Sequence, residues 1–208
     1  MAPPQKPAIA YWLEKTLYLN ITNQCTNNCY FCLKNFKSGV CNFNLRLLEE
    51  PTPDQVITEL EKVLSTRSWA ELVFCRFGEP TERLDCLLEV TRWTKHHNKT
   101  LPIRLNTNGH AYVLNPNRNV VKDLKTAGIE KVSVSLNAQD EKKYDDVCRP
   151  QFANAYEAVI DFIERAKEEL EVETTAVTIP EVDLQQIAAL AERMKVSFRL
   201  RPYIQCFW

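Results

Sequence analysis

The feature that most constrains the fold is an alternation of strand-like and helix-like segments along the chain. Short runs rich in apolar and β-branched residues are separated by stretches with apolar residues at helical spacing. Strands are predicted at residues 17–22, 71–77, 101–107, 131–137, 172–179 and 196–203, and helices at 53–66, 82–97, 117–128, 152–169 and 183–194. Six strands with intervening helices predict a parallel sheet with right-handed crossovers.

The positions of the polar segments favour a barrel over a doubly wound sheet. A cysteine-rich segment follows the first strand, and polar or glycine-containing segments end the next four, at residues 78–81, 106–109, 135–138 and 179–182. Sites in β/α barrels are built at the carboxyl ends of several strands, whereas open doubly wound sheets concentrate theirs at one switch point. We therefore predict an α/β fold, a partial (β/α)6 barrel that is open because it has six strands.

One face of several predicted strands is polar. A parallel strand buried on both faces is normally apolar throughout, so a polar face indicates a lumen that holds something polar. The predicted lumen rows are Ser133, Ser135 and Asn137; Arg104, Asn106 and Asn108; and Arg199, Arg201 and Tyr203.

Composition is that of an ordinary globular protein, with 208 residues, 45% of them hydrophobic, and a net charge of −1. We predict a loose N-terminal tail over residues 1–15 and a single domain over 16–208. No apolar run approaches the ~18 residues of a membrane span, and the start lacks signal-peptide features. The expected location is cytoplasmic, without membrane association, and the charge gives no reason to expect non-specific nucleic-acid binding.

Three of the eight cysteines fall in the segment CTNNCYFC, at positions 25, 29 and 32. A structural zinc site would need a fourth ligand, for which Cys41 is the nearest candidate in sequence. A redox pair of Cys29 and Cys32 would leave Cys25 unexplained. An iron–sulfur cluster with three protein thiolates would keep one iron free for a small molecule. The remaining cysteines, namely Cys75, Cys86, Cys148 and Cys206, are expected mostly as small core residues.

The spacing C-x3-C-x2-C, with Phe31 before the last cysteine, resembles the signature of the radical S-adenosylmethionine (SAM) enzymes. The segments GEP, NTNG and SLNA follow in the family's order. LYLNITNQCTNNCYFC and the closing FRLRPY are most similar to small family members associated with TatD-type DNases. The resemblance implies that Cys25, Cys29 and Cys32 hold three irons of an oxygen-sensitive 4Fe–4S cluster. Its fourth iron would bind SAM, which is cleaved to a 5′-deoxyadenosyl radical that abstracts hydrogen from the substrate. An electron donor such as flavodoxin or ferredoxin is implied.

The resemblance also assigns SAM contacts. Glu79 would take the methionine amino group, the backbone at Gly78 would lie close to it, and Pro80 would shape the turn. Phe31 and the backbone near Ile179 would flank the adenine.

Further cofactor contacts are expected from the lumen rows and one arginine. Ser135 and Asn137 suit the ribose hydroxyls or the carboxylate, and Arg149 suits the carboxylate. Asn106 and Asn108 are expected to shape the ligand site. Structural alternatives exist for these residues. Ser135 and Asn137 could be hydrogen-bonded polar residues of the core, Arg149 a surface arginine, and Asn108 part of a turn.

The substrate is expected to be small and anionic, and a nucleotide is plausible from the association with nucleases. Arg104, Arg199, Arg201 and Arg76 suit phosphate or carboxylate, unless they pair with internal acids. A TatD-type nuclease is a candidate partner. Two other functions stay open: an activase that installs a glycyl radical on a partner protein, and a non-catalytic zinc-binding module.

Overall fold

The structure, a computed structural model, describes residues 6–75 and 77–203. Two residues singled out from the sequence, Arg76 and Cys206, lie outside the described part of the chain.

The strands form a seven-stranded sheet and a small hairpin. In chain order they are β1 (Ala10–Leu13), β2 (Thr16–Leu19), β3 (Gly39–Val40), β4 (Phe43–Asn44), β5 (Glu71–Phe74), β6 (Ile103–Thr107), β7 (Lys131–Ser135), β8 (Glu171–Val177) and β9 (Ser197–Arg201). The sheet order is β1-β2-β5-β6-β7-β8-β9, with β3 and β4 forming the hairpin. All pairs from β2 to β9 in the sheet are parallel, and β1 pairs antiparallel to β2.

The helices lie mainly between the strands. They are α1 (Pro53–Leu64), α2 (Leu84–His97), α3 (Ala111–Leu114), α4 (Val120–Ala127), α5 (Glu141–Cys148), α6 (Ala155–Ala166) and α7 (Leu184–Arg193), with 3₁₀ turns at Leu33–Asn35 and Pro80–Arg83. Local sequence sets several of their ends. Thr52 and Gln55 form a capping box at the start of α1. Gly128 ends α4 with a left-handed φ of 113°, a conformation that glycine adopts without strain.

The predicted α/β fold is confirmed, with six parallel strands whose order follows the chain. β1 and β9 occupy opposite edges of the sheet, so the barrel is open. The alternation predicted in β7 is also observed. Val132 and Val134 are fully buried in the apolar core, while Ser135 faces a cavity on the other side of the sheet. The sheet therefore packs its apolar face against helices and turns its polar face inward.

The predicted N-terminal tail is wrong at residues 10–13, which form β1. Tyr11 is fully buried and its ring stacks on Tyr18 at a centroid distance of 5.1 Å. The early prolines indicated a loose segment, but the next residues pair with β2 and bury an aromatic side chain at the sheet edge. The assignment of residues 16–208 to one domain stays a prediction.

Two helices were not predicted, α3 and α5. Helix α5 is mostly charged, so its sequence gave little helical apolar spacing. No helix within residues 6–75 and 77–203 combines the length and apolarity needed to cross a bilayer.

Candidate active site

A cavity of about 360 Å³ opens at the carboxyl ends of the parallel strands. It collects most of the residues predicted from sequence. Those in its wall are Cys25, Cys29, Phe31, Cys32, Gly78, Glu79, Asn106, Asn108, Ser135, Asn137 and Arg201. Others in the wall were not predicted as site residues, among them Cys75, Phe77, Thr107 and Val177.

The cysteine segment is held in place by the end of α5. The backbone N–H of Asn28 donates to the carbonyl of Cys148 at 3.0 Å, and that of Tyr30 to Val147 at 3.3 Å. Asn27 forms an isolated antiparallel bridge with Pro150. The loop that carries the three cysteines is therefore fixed by backbone contacts to an unpredicted helix.

The three cysteine thiols are held neutral by their surroundings. Burial, and then the charge of Glu79, raises the pKa of Cys25 to about 12. Burial raises the pKa of Cys32, and a contact with the thiol of Cys148 together with burial raises that of Cys29. Thiolates become favourable here only beside a cation, and metal binding supplies one.

The three cysteines of the loop and Cys41 occupy different places in the fold. Among the described residues, no three histidine, cysteine or acidic side chains converge tightly enough to hold one metal ion. Cysteines of an iron–sulfur cluster bind separate irons and need no common point. Cys41, the proposed fourth zinc ligand, is exposed in the turn between β3 and β4 and does not line the cavity. Cys25, Cys29 and Cys32 line the cavity together, and a donor set of three thiols fits a cluster with three protein ligands.

Glu79 is a buried carboxylate in the cavity wall, with 3% of its surface exposed. Its Oε2 accepts the Asn108 backbone N–H at 2.6 Å. Its Oε1 accepts the Thr107 and Thr81 hydroxyls, each at 2.8 Å, and the Thr81 backbone N–H at 3.1 Å. Burial raises its pKa although these donors oppose the shift. Within the described residues Glu79 forms no ion pair, so the carboxylate suits a cationic ligand such as an ammonium group.

Gly78 brings Glu79 next to the cysteine loop. A Cβ at this position would lie 2.5 Å from the backbone oxygens of both Thr22 and Gln24. The N–H of Glu79 donates to the carbonyl of Gln24 at 2.7 Å. Only glycine allows this close approach between the segment after β5 and the segment after β2.

Arg201 lies in the same wall without a carboxylate partner among the described residues. Its Nη2 donates to Ser135 Oγ and Asn137 Oδ1, each at 3.2 Å. Its Nε is buried and makes no hydrogen bond within residues 6–75 and 77–203. Burial lowers the pKa of its guanidinium. A buried cation of this kind suits an anionic ligand.

The other two described lumen arginines are paired with internal acids. Arg104 Nε and Nη2 donate to Glu71 at 3.0 and 2.7 Å. Arg199 Nε and Nη2 both donate to Glu173 at 2.9 Å. These bidentate pairs match the alternative given from the sequence, that the lumen arginines pair with internal acids. Arg201 is the arginine of the cavity wall that has no carboxylate partner in the described residues.

Three predicted cofactor contacts lie outside the cavity wall. Arg149 is exposed, and its guanidinium carbon lies 5.8 Å from the centroid of the Tyr30 ring. Pro80 begins a 3₁₀ turn and Ile179 is buried in the core. Pro80 is consistent with a role in shaping the turn at Glu79, Arg149 and Ile179 do not line the cavity, and the nearby Val177 does.

A buried hydrogen-bond network behind the cysteine loop was missed from sequence. The ring of His110 bonds to Thr26 Oγ1 at 2.8 Å through Nδ1 and to Tyr144 Oη at 3.1 Å through Nε2. Asn108 Nδ2 donates to Thr26 at 2.8 Å, and Asn27 Nδ2 donates to Tyr144 at 2.9 Å. Burial lowers the pKa of His110 to about 4, so the ring is neutral. The sequence feature that could have indicated this network is His110, which directly follows the NTNG segment.

Comparison with known sequences gives one family. A model described as the radical SAM superfamily matches residues 19–194. The chain is similar to a probable GTP 3′,8-cyclase of Pyrococcus horikoshii, with 30% identity over 131 residues, 62% of this chain and 36% of that protein. It is 26% identical over 159 residues to the GTP 3′,8-cyclase of Rhodopirellula baltica, covering 74% and 39% of the two chains. The chain thus spans less than half the length of these curated relatives.

Solved structures share the fold. The chain is similar to Streptococcus suis SuiB bound to S-adenosylmethionine, with a TM-score of 0.71, 15% identity and coverage of 93% of this chain and 41% of that one. Methylornithine synthase (PylB) gives a TM-score of 0.61 at 15% identity, covering 91% and 53%. The partial barrel, the cysteine spacing and the family match agree, and the chain belongs to the radical SAM superfamily.

Proposed function

We propose that the cavity binds SAM beside a 4Fe–4S cluster and that hydrogen is abstracted there from a small, anionic, nucleotide-like substrate. Members of the superfamily are enzymes that hold this cluster and bind SAM. When bound, the two supply a 5′-deoxyadenosyl radical, and the protein supplies binding, orientation and exclusion of water. The observation that carries the proposal is the buried carboxylate of Glu79, unpaired among the described residues, in the same wall as three neutral thiols.

The residues of the chain have separate tasks in this proposal. Cys25, Cys29 and Cys32, which line the cavity together, would hold three irons. Glu79 would accept hydrogen bonds from the SAM ammonium, because its carboxylate is desolvated and lacks a cationic partner in the described part of the chain. Phe31, also in the wall, offers an apolar surface for the adenine.

Arg201 supports an anionic substrate. It lines the cavity without a carboxylate partner in the described residues, and a guanidinium binds phosphate or carboxylate through paired hydrogen bonds. The curated relatives named above are GTP 3′,8-cyclases, which makes a nucleotide the first class to test.

The first experiment is anaerobic reconstitution with iron and sulfide, followed by low-temperature EPR of the reduced protein with and without SAM and an assay for 5′-deoxyadenosine. We expect a 4Fe–4S signal that changes on adding SAM, and 5′-deoxyadenosine as a product. Cys29→Ala should lose both, whereas Cys86→Ala, a change in the core of α2, should keep them. A colourless protein with one bound zinc would contradict the proposal and support the metal-binding module.

A second experiment tests the anion site. Nucleoside mono- and triphosphates are titrated anaerobically into the SAM-bound protein. Arg201→Ala should weaken turnover with the nucleotide more than SAM cleavage without it. The matched control is Arg199→Ala on the same strand, whose guanidinium is already paired with Glu173. Equal loss of both activities in Arg201→Ala would contradict a substrate role.

Other expectations from the sequence stay predictions. These are the TatD-associated subgroup and partner, the flavodoxin or ferredoxin donor, oxygen sensitivity and a cytoplasmic location. The activase alternative would be recognised by a stable, SAM-dependent radical on a partner protein rather than by turnover of a nucleotide.

A further inference from the structure

Cys75 occupies a place in the lumen that the sequence did not indicate. It follows β5 directly and lines the cavity that holds the three cluster cysteines and Glu79. It also lines a second, polar opening together with Arg104 and Arg199. Cys86 provides the contrast, because it lies on α2 with 4% of its surface exposed, packed in the apolar core. Cys75 is therefore a cavity thiol rather than a packing residue.

The Cys75 thiol is held in a fixed position. Asn106 Nδ2 donates to Cys75 Sγ at 3.1 Å, so the sulfur is the acceptor and its own hydrogen is not used in this bond. Asn106 Oδ1 in turn accepts from Arg104 Nη1 at 2.6 Å, and Arg104 is anchored by Glu71. The chain of bonds fixes the sulfur and leaves the S–H free to point into the cavity.

A second observation indicates that a ligand lies beside this thiol. Arg201 lines the same two spaces as Cys75, and its Nη2 donates to two neutral side chains, Ser135 and Asn137, with no carboxylate partner in the described residues. Such a guanidinium is costly unless a bound anion completes its bonding. A substrate held by Arg201 would thus lie within the space that Cys75 faces.

We propose that Cys75 is a catalytic residue that donates a hydrogen atom to a carbon radical in the cavity; this rests on the proposed function. The S–H bond breaks homolytically and a C–H bond forms, which leaves a thiyl radical on Cys75. One electron from the one-electron carrier that serves the cluster, with a proton from water, restores the thiol. Transfer is favourable because an S–H bond is weaker than an aliphatic C–H bond, whereas the O–H bond of a serine is stronger.

The test needs no substrate. Reconstituted protein is reduced in D2O with SAM alone, so that exchangeable thiol protons become deuterons, and the isotopic content of the 5′-deoxyadenosine is measured by mass spectrometry. We expect a monodeuterated product from the wild type. Cys75→Ser keeps the size and the acceptor for Asn106, and should lower the deuterated fraction several-fold. Cys86→Ser should not change it. The measured quantity is the ratio of deuterated to total 5′-deoxyadenosine, so a variant that makes the product more slowly can still be compared with the wild type.

The outcomes separate the two proposals. Deuterium-free 5′-deoxyadenosine from the wild type, or an unchanged deuterated fraction in Cys75→Ser, would overturn the role of Cys75 alone. Absence of 5′-deoxyadenosine from every preparation would overturn the proposed function and this inference with it.

A measurement on the wild type covers the case in which the variant does not fold. The reconstituted protein is treated with iodoacetamide and digested, and alkylation is mapped by peptide mass spectrometry. Cys75 should react faster than Cys86, and S-adenosylhomocysteine should slow its reaction. A Cys75 as unreactive as Cys86 would contradict a thiol that faces the ligand space.

Discussion

Glu79 accepts four hydrogen bonds from Thr81, Thr107 and Asn108, yet forms no ion pair within the described residues. A buried carboxylate in this setting is oriented before any ligand arrives. Its hydrogen-bond donors fix the orientation of the carboxylate group. Its negative charge remains available to bind a cation that enters the cavity. At the residue scale this combination separates a binding carboxylate from a structural one.

Glu79→Gln should weaken SAM binding by roughly tenfold to a hundredfold. The loss follows from removing a charge-assisted hydrogen bond of about 1.5–3 kcal/mol. The measurement is titration of SAM into the reduced, reconstituted protein, followed by EPR. Glu82→Gln is the matched control, because Glu82 lies on the same 3₁₀ turn but outside the cavity. Unchanged affinity in Glu79→Gln would show that another group binds the ammonium.

His110 makes stability depend on pH. Its pKa falls to about 4 in the folded protein because burial disfavours the charged ring. The unfolded chain, with an ordinary pKa of about 6.5, therefore binds more protons between these values. The contribution of neutral His110 to stability is complete above pH 6.5 and is lost as the pH falls toward about 4. Over that range the loss amounts to about 3 kcal/mol.

The prediction is tested by chemical unfolding of the cluster-free protein at several pH values. Wild type should lose more stability than His110→Gln as the pH falls, since glutamine keeps polar atoms but does not titrate. Comparing the two cancels the contributions of other groups, including the raised pKa of Glu79. Parallel pH profiles for wild type and His110→Gln would contradict the assignment.

At the element scale, the site depends on close contact between segments that follow neighbouring strands. Gly78, after β5, approaches the backbone at Thr22 and Gln24, after β2, too closely for any side chain. The end of α5 holds the cysteine loop from the opposite side through Asn28 and Tyr30. Backbone contacts therefore fix the segments that form the cavity, and these segments carry the functional side chains.

Gly78→Ala should destabilise the protein by about 1–3 kcal/mol and also weaken SAM binding, because the new Cβ meets backbone oxygens that cannot move independently. Gly128→Ala is the control. It forces alanine into a φ of 113° at the end of α4, puts the new Cβ 2.6 Å from Lys95 Cγ, and should cost more than about 1 kcal/mol without changing SAM affinity. Thermal unfolding and EPR titration measure the two effects. A Gly78→Ala protein that is less stable but binds SAM normally would show that this contact does not position Glu79.

At the scale of the whole molecule, the open sheet places polar groups from β5 to β9 around one lumen. The unpaired charges in this lumen reduce stability until a ligand of opposite charge binds. Ligand binding should therefore be visible as a global gain in stability.

SAM at a hundred times its dissociation constant should stabilise the reconstituted protein by about 2.7 kcal/mol, which corresponds to a rise in Tm of roughly 5–10 °C for a chain of this size. Anaerobic calorimetry measures the shift. Adenosine, which lacks the ammonium and carboxylate, is the ligand control and should give a smaller rise. No shift with SAM, in a protein whose cluster is intact, would contradict binding in this cavity.

The sequence predicted more of the residues that line the cavity than of the residues behind them. Cys29, Glu79 and Asn137 were identified from short motifs and do meet in one cavity. The network of Thr26, His110 and Tyr144 was missed, because its members are far apart in the chain and are joined only by folding. Arg149 was expected at the carboxylate from its place just before the helix predicted at 152–169, and in the structure its side chain is exposed with its guanidinium carbon 5.8 Å from the Tyr30 ring centroid.

The sequence by itself determined the alternation of strands and helices, the polar face of three strands and the cysteine spacing, since these depend on local periodicity and near neighbours. It therefore sufficed for the open α/β barrel and for the family. Only the tertiary structure decided which lumen charges remain available. Arg104 and Arg199 are neutralised by acids on neighbouring strands, whereas Arg201 and Glu79 have no ionic partner in the described chain. The reason is physical: strand register sets which side chains face each other, and one strand's sequence does not record what its neighbour presents.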